Sequence, residues 1–167
     1  MKTFMCDKHP GVWKGGLRMG ILLTVLIILV LVTIIYFMPK NLTKLEIFTT
    51  ALFALYFALI TDVYLDLKHN LYGFFTVGVD YEAFIVFPLY PLYNILFLNY
   101  FPFGNLQRQL VYVAGHAIII TIYEWVILQT EVFYYNDWKL WYSALLYPFI
   151  LYVLVWHLKV IRKLKQL

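Results

Sequence analysis

Three acidic residues stand inside or at the edge of long apolar runs: Asp62, Glu82 and Glu124. A carboxylate deep in a bilayer costs at least about 2.5 kcal/mol, less towards the ends, and is tolerated where it faces protein or water. Asp62 shares a helical face with Ala51, Leu55 and Ala58, with Ala54 close by. Small side chains let a second helix approach, so Asp62 is expected to point at a neighbour and not at lipid. Asp66 follows one turn later on that face. Glu82 has Tyr93 and Tyr100 on its own face and opens a run interrupted by Pro88 and Pro91. Each proline removes a backbone hydrogen bond, which predicts a kinked or locally unwound helix. His116 precedes Glu124 by about two turns, with Tyr112 and Tyr123 beside them and Gly115 leaving space for a neighbour.

Taken together, Asp62, Glu82, Glu124, His116, Tyr93 and Tyr123 form a candidate ligand-binding pocket, acidic and rich in tyrosine. Such a group suits three kinds of chemistry. It can hold a small cation or a cationic molecule. It can relay protons, with Glu124 and His116 as partners. Or Glu124 or Glu82 can act as the proton donor of an intramembrane enzyme on a lipid or isoprenoid substrate. The plainer alternative is interhelical hydrogen bonding by protonated or tyrosine-paired carboxylates. A non-enzymatic role is the leading expectation, and a helper subunit of a larger membrane complex is a third class. A helper would turn the small-residue stripe Ala51, Ala54 and Ala58 towards lipid. No phosphate loop, zinc motif or nucleophile elbow occurs, so no catalytic residue, metal site or cofactor is assigned. Cys6 is the single cysteine, which excludes an internal disulfide.

The elements that must position these residues are apolar. The chain is 63% hydrophobic, 20% aromatic and 13% charged, against about 25% charged in a soluble domain. A spanning helix needs about 20 mostly apolar residues to cross a core about 30 Å thick. Five runs approach this length: 19–38, 46–65, 81–101, 110–130 and 138–158. Continuous apolar runs fit helices better than the alternating strands of a barrel. The expected fold is all-α, a polytopic bundle of five transmembrane spans over 19–158, with a basic tail over 1–18 and another over 159–167. The short apolar stretch 71–79 reads as an interfacial or re-entrant piece. Asn136-Asp137 offers an N-cap for the fifth span. No small-residue cleavage pattern follows the first run, so it reads as a retained span. The 15 tyrosines and five tryptophans, many near span ends, read mostly as an aromatic belt.

Five spans sort the charges by face. Lys40, Lys44, Arg108, Lys159, Arg162, Lys163 and Lys165 share one side with a single acid, Glu46. The other side has Asp66, Asp80, Glu131 and Asp137 against Lys68 and Lys139, and Asp62, Glu82 and Glu124 lie towards it. Lysine and arginine collect in cytoplasmic loops, so the C-terminus is expected inside and the N-terminus outside. Lys2, Lys8, Lys14 and Arg18 oppose that assignment. Either the later bias sets orientation, or translation begins at Met19. Lys159, Arg162, Lys163 and Lys165 form a juxtamembrane patch suited to anionic lipid, each charge worth about 1 kcal/mol there. A net charge of +4 placed this way points to the bilayer and not to nucleic acid.

Several short motifs occur in a fixed order: Pro39-Lys40-Asn41, Tyr81-Glu82-x-Phe84-Ile85-x-Phe87-Pro88, Asn99-Tyr100-Phe101-Pro102, Tyr123-Glu124 and Trp138-x-x-Trp141. In this the chain resembles a family of small five-span integral membrane proteins of spore-forming Bacillus- and Clostridium-type bacteria. The resemblance covers roughly 39–165. It implies a bacterial plasma membrane and an outward N-terminus, and it supplies no catalytic residue. The basic stretch before Met19 departs from the shorter N-terminus associated with that family.

Overall fold

A computed structural model describes residues 15–74, 84–130 and 132–166. Five helices dominate: α1 (Gly16–Phe37), α2 (Lys44–Asp62), α3 (Leu89–Asn99), α4 (Leu106–Ile127) and α5 (Leu140–Leu164). Two short strands, β1 (Tyr72–Phe74) and β2 (Phe133–Tyr135), pair antiparallel with Gly73 opposite Tyr134. Among the described residues four helical segments are long and apolar enough to cross a membrane: Gly16–Phe37, Lys44–Lys68, Leu106–Ile127 and Leu140–Leu164. The second of these joins α2 to a π-helical turn, Val63–Lys68, that carries Asp66.

Local chemistry explains where the helices begin. Thr43 and Glu46 form a reciprocal capping box: Glu46 accepts from the Thr43 N–H at 2.8 Å, and Thr43 Oγ1 accepts from the Glu46 N–H at 3.4 Å. Asn105 Oδ1 accepts from the Arg108 N–H at 3.0 Å and starts α4. Just before it Gly104 has φ 98°, a left-handed turn that favours glycine. The expected cap at Asn136-Asp137 is not used. α5 starts after Lys139 without a side-chain cap, and Asn136 instead donates through Nδ2 to the carbonyl and side-chain oxygens of Asn70 at 3.1 and 2.9 Å. That bond ties the loop after α2 to the loop after α4, beside the β1–β2 pair.

The third apolar run differs most from its expectation of 81–101. Only 11 residues of it form helix α3, about 16 Å at 1.5 Å per residue. The two prolines start the helix and do not kink it. Pro88 is the N-cap, and Pro91 sits in the first turn, where a missing N–H leaves no intrahelical bond unmade. Tyr81 and Glu82 lie outside the described residues, as do residues 75–79 of the expected interfacial stretch.

α3 packs against α1, α2 and α5, and Phe97 and Leu98 on it are almost wholly buried. One core cluster joins them to Ala54, Val113, Ala117, Leu151 and Leu158. A second lies towards the strands, around Leu31, Val86, Ile127, Val132 and Phe133. By contrast Leu22, Leu26 and Leu29 on α1, Ile118 and Ile122 on α4, and Leu145 and Phe149 on α5 are exposed. This inverted pattern fits a bundle whose outer surface meets hydrocarbon. Ala54 is buried and Ala51 and Ala58 are half-buried, so the small-residue stripe is turned towards the other helices.

Contacts at the helix ends fix the direction of each helix. Gly20, near the start of α1, lies so close to Thr130 and Val132 that a Cβ on it would come within 2.6 Å of Thr130 Oγ1 and 2.5 Å of Val132 Cγ2. At the opposite end Asn99 Oδ1 accepts from the Asn41 N–H at 2.8 Å, and Asn99 Nδ2 donates to the Pro39 carbonyl at 2.9 Å. Arg162, near the end of α5, donates to Glu46, near the start of α2, at 2.9 Å. The five helices therefore alternate in direction. One end collects Lys40, Lys44, Arg108 and the end of α5, and the other collects Asp66, the strands and Asp137. The helices overrun both expected tails: α1 begins at Gly16 and α5 continues to Leu164.

Candidate functional site

Glu124, near the end of α4, is buried, and both of its oxygens are occupied. Oε1 accepts from Tyr135 Oη at 2.7 Å and from Ser143 Oγ at 2.8 Å, and Oε2 accepts from Tyr147 Oη at 2.6 Å. Trp138 Nε1 donates to Ser143 Oγ at 2.8 Å and holds that hydroxyl in place. The donors come from β2 and from the first two turns of α5. Ser143 and Tyr147 are four residues apart, so they lie on one face of α5 and meet the carboxylate together.

Asp62, at the end of α2, is held in a similar way. Oδ1 accepts from Tyr72 Oη at 2.8 Å and Oδ2 from Tyr90 Oη at 3.2 Å. Tyr72 comes from β1 and Tyr90 from the first turn of α3. The two carboxylates lie towards the same end of the bundle. Burial pushes the Tyr72 phenol up, and the charge and hydrogen bond of Asp62 push it further, with smaller contributions from Asp66 and Glu124. Burial, and then the bond to and charge of Glu124, push the Tyr135 phenol up as well. Both hydroxyls keep their protons and act as donors. Pairing of β1 with β2 sets Tyr72 opposite Tyr135, one residue for each carboxylate.

Among the described residues neither acid has a cationic partner. Among the described residues the salt bridge is the one between Glu46 and Arg162 at the other end. No group of three metal-ligating residue types gathers among the described residues.

The remaining predicted site residues are placed apart from this pair. Tyr93 Oη and His116 Nδ1 are 2.6 Å apart, and His116 packs against Phe97 and Tyr112. His116 thus pairs with Tyr93, while the bonds of Glu124 go to Tyr135, Ser143 and Tyr147. Tyr123 faces Thr24 of α1. Glu82 lies outside the described residues. A Cβ on Gly115 would meet no atom of the described residues within 4 Å, so none of them fills the space expected there.

Tyr72, Tyr90, Tyr135, Tyr147 and Ser143 were not singled out by the sequence. A tyrosine that caps a buried acid and a tyrosine that anchors at a headgroup have the same composition signal. The one sequence cue was the polar pair Ser143 and Tyr147 at helical spacing in an otherwise apolar run. No protein-family model, curated protein or solved structure matches this chain.

Proposed function

We propose that this chain is a five-span protein of a bacterial plasma membrane, N-terminus out and C-terminus in, that holds protons or a small cation at Asp62 and Glu124. The fifth passage is the one through α3 (Leu89–Asn99). The family resemblance and the collection of bases at one end support this orientation.

One observation carries the functional reading. Two carboxylates in an apolar bundle accept from neutral hydroxyl donors, and among the described residues no cationic side chain pairs with either. A buried charge without a counter-charge is strongly unfavourable, and a proton or a cation removes it. Phenol and serine hydroxyls both donate and accept. The cages can therefore keep their bonds when an acid is protonated, by rotating one hydroxyl from donor to acceptor. A cage of arginine or lysine could not do this, because neither has an acceptor.

Infrared difference spectra of the purified chain, recorded across pH steps with and without sodium, potassium or magnesium, test the reading. Carboxyl bands that respond to pH or to cation are expected, one lost in Asp62→Asn and another in Glu124→Gln. A spectrum with no responding carboxyl band, or with bands that survive both substitutions, would refute it.

A further inference from the structure

At the basic end a groove of about 370 Å³ opens between the loop after α1, the loop after α3 and the last turns of α5. Asn41, Asn99, Tyr100, Phe101, Phe103 and Arg162 line it. We propose that this groove binds a phosphate group, with Arg162 as its principal ligand. The proposal is independent of the carboxylate reading, since it concerns other residues at the opposite end of the bundle.

Arg162 is set up for such a role. Its Nε donates to Glu46 Oε1 at 2.9 Å, and its guanidinium lies over the Phe103 ring at 4.7 Å. Both contacts fix the plane of the fork. They engage one edge and one face, and among the described residues no hydrogen bond takes up the two terminal nitrogens. A planar fork held in advance matches two phosphate oxygens at once and loses little freedom on binding. The side chain is 35% exposed, so a ligand can reach it.

The other polar groups divide clearly. Asn41 and Asn99 each give one amide N–H to the Asn99 and Pro39 carbonyls, at 2.9 Å, which holds the wall of the groove in place. Tyr100 also lines the groove and is 44% exposed. Glu46 neutralises one positive charge, but Lys44, Arg108, Lys159, Lys163 and Lys165 remain at this end. Lys40 turns back onto the Ile35 and Met38 carbonyls. The local field therefore still attracts an anion. Phe101 and Phe103 give the groove an apolar flank that suits a phosphate bearing an acyl chain. A phospholipid headgroup and a free phosphate share the chemistry that Arg162 recognises.

The test titrates the full chain in detergent micelles with phosphatidylglycerol, inorganic phosphate or diacylglycerol, reading occupancy by native mass spectrometry. Binding of phosphatidylglycerol alone identifies a lipid source, binding of inorganic phosphate identifies a soluble one, and diacylglycerol is expected not to bind. Arg162→Lys keeps a charge for Glu46 but loses the fork, and should weaken binding about tenfold. Tyr100→Phe, at an exposed position, should weaken it about threefold without affecting folding. Lys159→Gln with Lys163→Gln should change it less than about threefold. Absence of binding by both phosphate probes, equal binding of diacylglycerol, or Arg162→Lys and Tyr100→Phe binding like the parent would overturn the proposal. So would a loss in the double lysine variant as large as that in Arg162→Lys.

Discussion

Glu124→Ala should lower the stability of the bundle by about 2–4 kcal/mol, measured by unfolding of the purified chain in mixed detergent micelles. The figure follows from three hydrogen bonds to one carboxylate, at about 0.6–2 kcal/mol each for side-chain bonds within a membrane bundle. The loss also leaves the hydroxyls of Tyr135, Ser143 and Tyr147 without their acceptor. Ser143 is buried and Tyr147 half-buried on α5, so a hydroxyl left without an acceptor there is costly. Glu124→Gln should be far milder, about 1 kcal/mol or less. Its carbonyl oxygen can still accept from two hydroxyls, and its amide can donate to the third once that hydroxyl rotates. The pair of variants separates the two roles of Glu124. Alanine removes the scaffold and the ionisable group together, whereas glutamine keeps the scaffold and removes only the ionisation on which the proposed function depends. Equal stability of Glu124→Ala and the parent would mean that the three bonds do not hold the α4–α5 end together.

The second large effect is expected at Gly20. Gly20→Val should destabilise the chain by about 2–3 kcal/mol, because even a Cβ would overlap the Val132 and Thr130 side chains. Those residues follow α4 and are themselves buried, and Thr130 Oγ1 already bonds the Ile127 carbonyl and the Val132 N–H. Little can move aside without breaking the turn that leads into β2. The displaced element would be the start of α1, which is joined to the rest through this approach and through the apolar contacts of the second core cluster. Gly115→Val is the control, since a Cβ there meets no atom of the described residues within 4 Å. A chain equally stable with valine at either position would show that α1 does not pack here.

Much of the helical framework was legible in the sequence because uninterrupted apolar length is the dominant signal in lipid. The runs 19–38, 110–130 and 138–158 correspond to Gly16–Phe37, Leu106–Ile127 and Leu140–Leu164. The ends moved because capping groups and turns, not the last apolar side chain, decide where a helix stops. Thr43 and Asn105 are polar residues that lie outside the apolar runs they initiate. α3 was misjudged in length for a related reason: two prolines that could kink a long helix can equally begin a short one. The site was legible in part. Asp62 and Glu124 were recognisable as acids that had to face protein, and they do. Their partners were not recognisable, because Tyr90 is 28 residues from Asp62 and Tyr147 is 23 from Glu124. The strand pairing that brings Tyr72 and Tyr135 towards these acids joins segments about 60 residues apart, across loops that carry no hairpin signal. His116 was grouped with Glu124 by helical spacing alone, yet its bond runs across to Tyr93 on α3.

In the proposed arrangement the two ends of the bundle lie in different compartments. Side-specific labelling tests this most directly, with Cys6 replaced by serine and a single cysteine introduced at an exposed position, Asp137→Cys at the acidic end or Lys163→Cys at the basic end. An impermeant maleimide added to intact cells should modify the first variant readily and the second only after the membrane is opened. Modification of both from the same side, or of the basic end alone from outside, would contradict the arrangement.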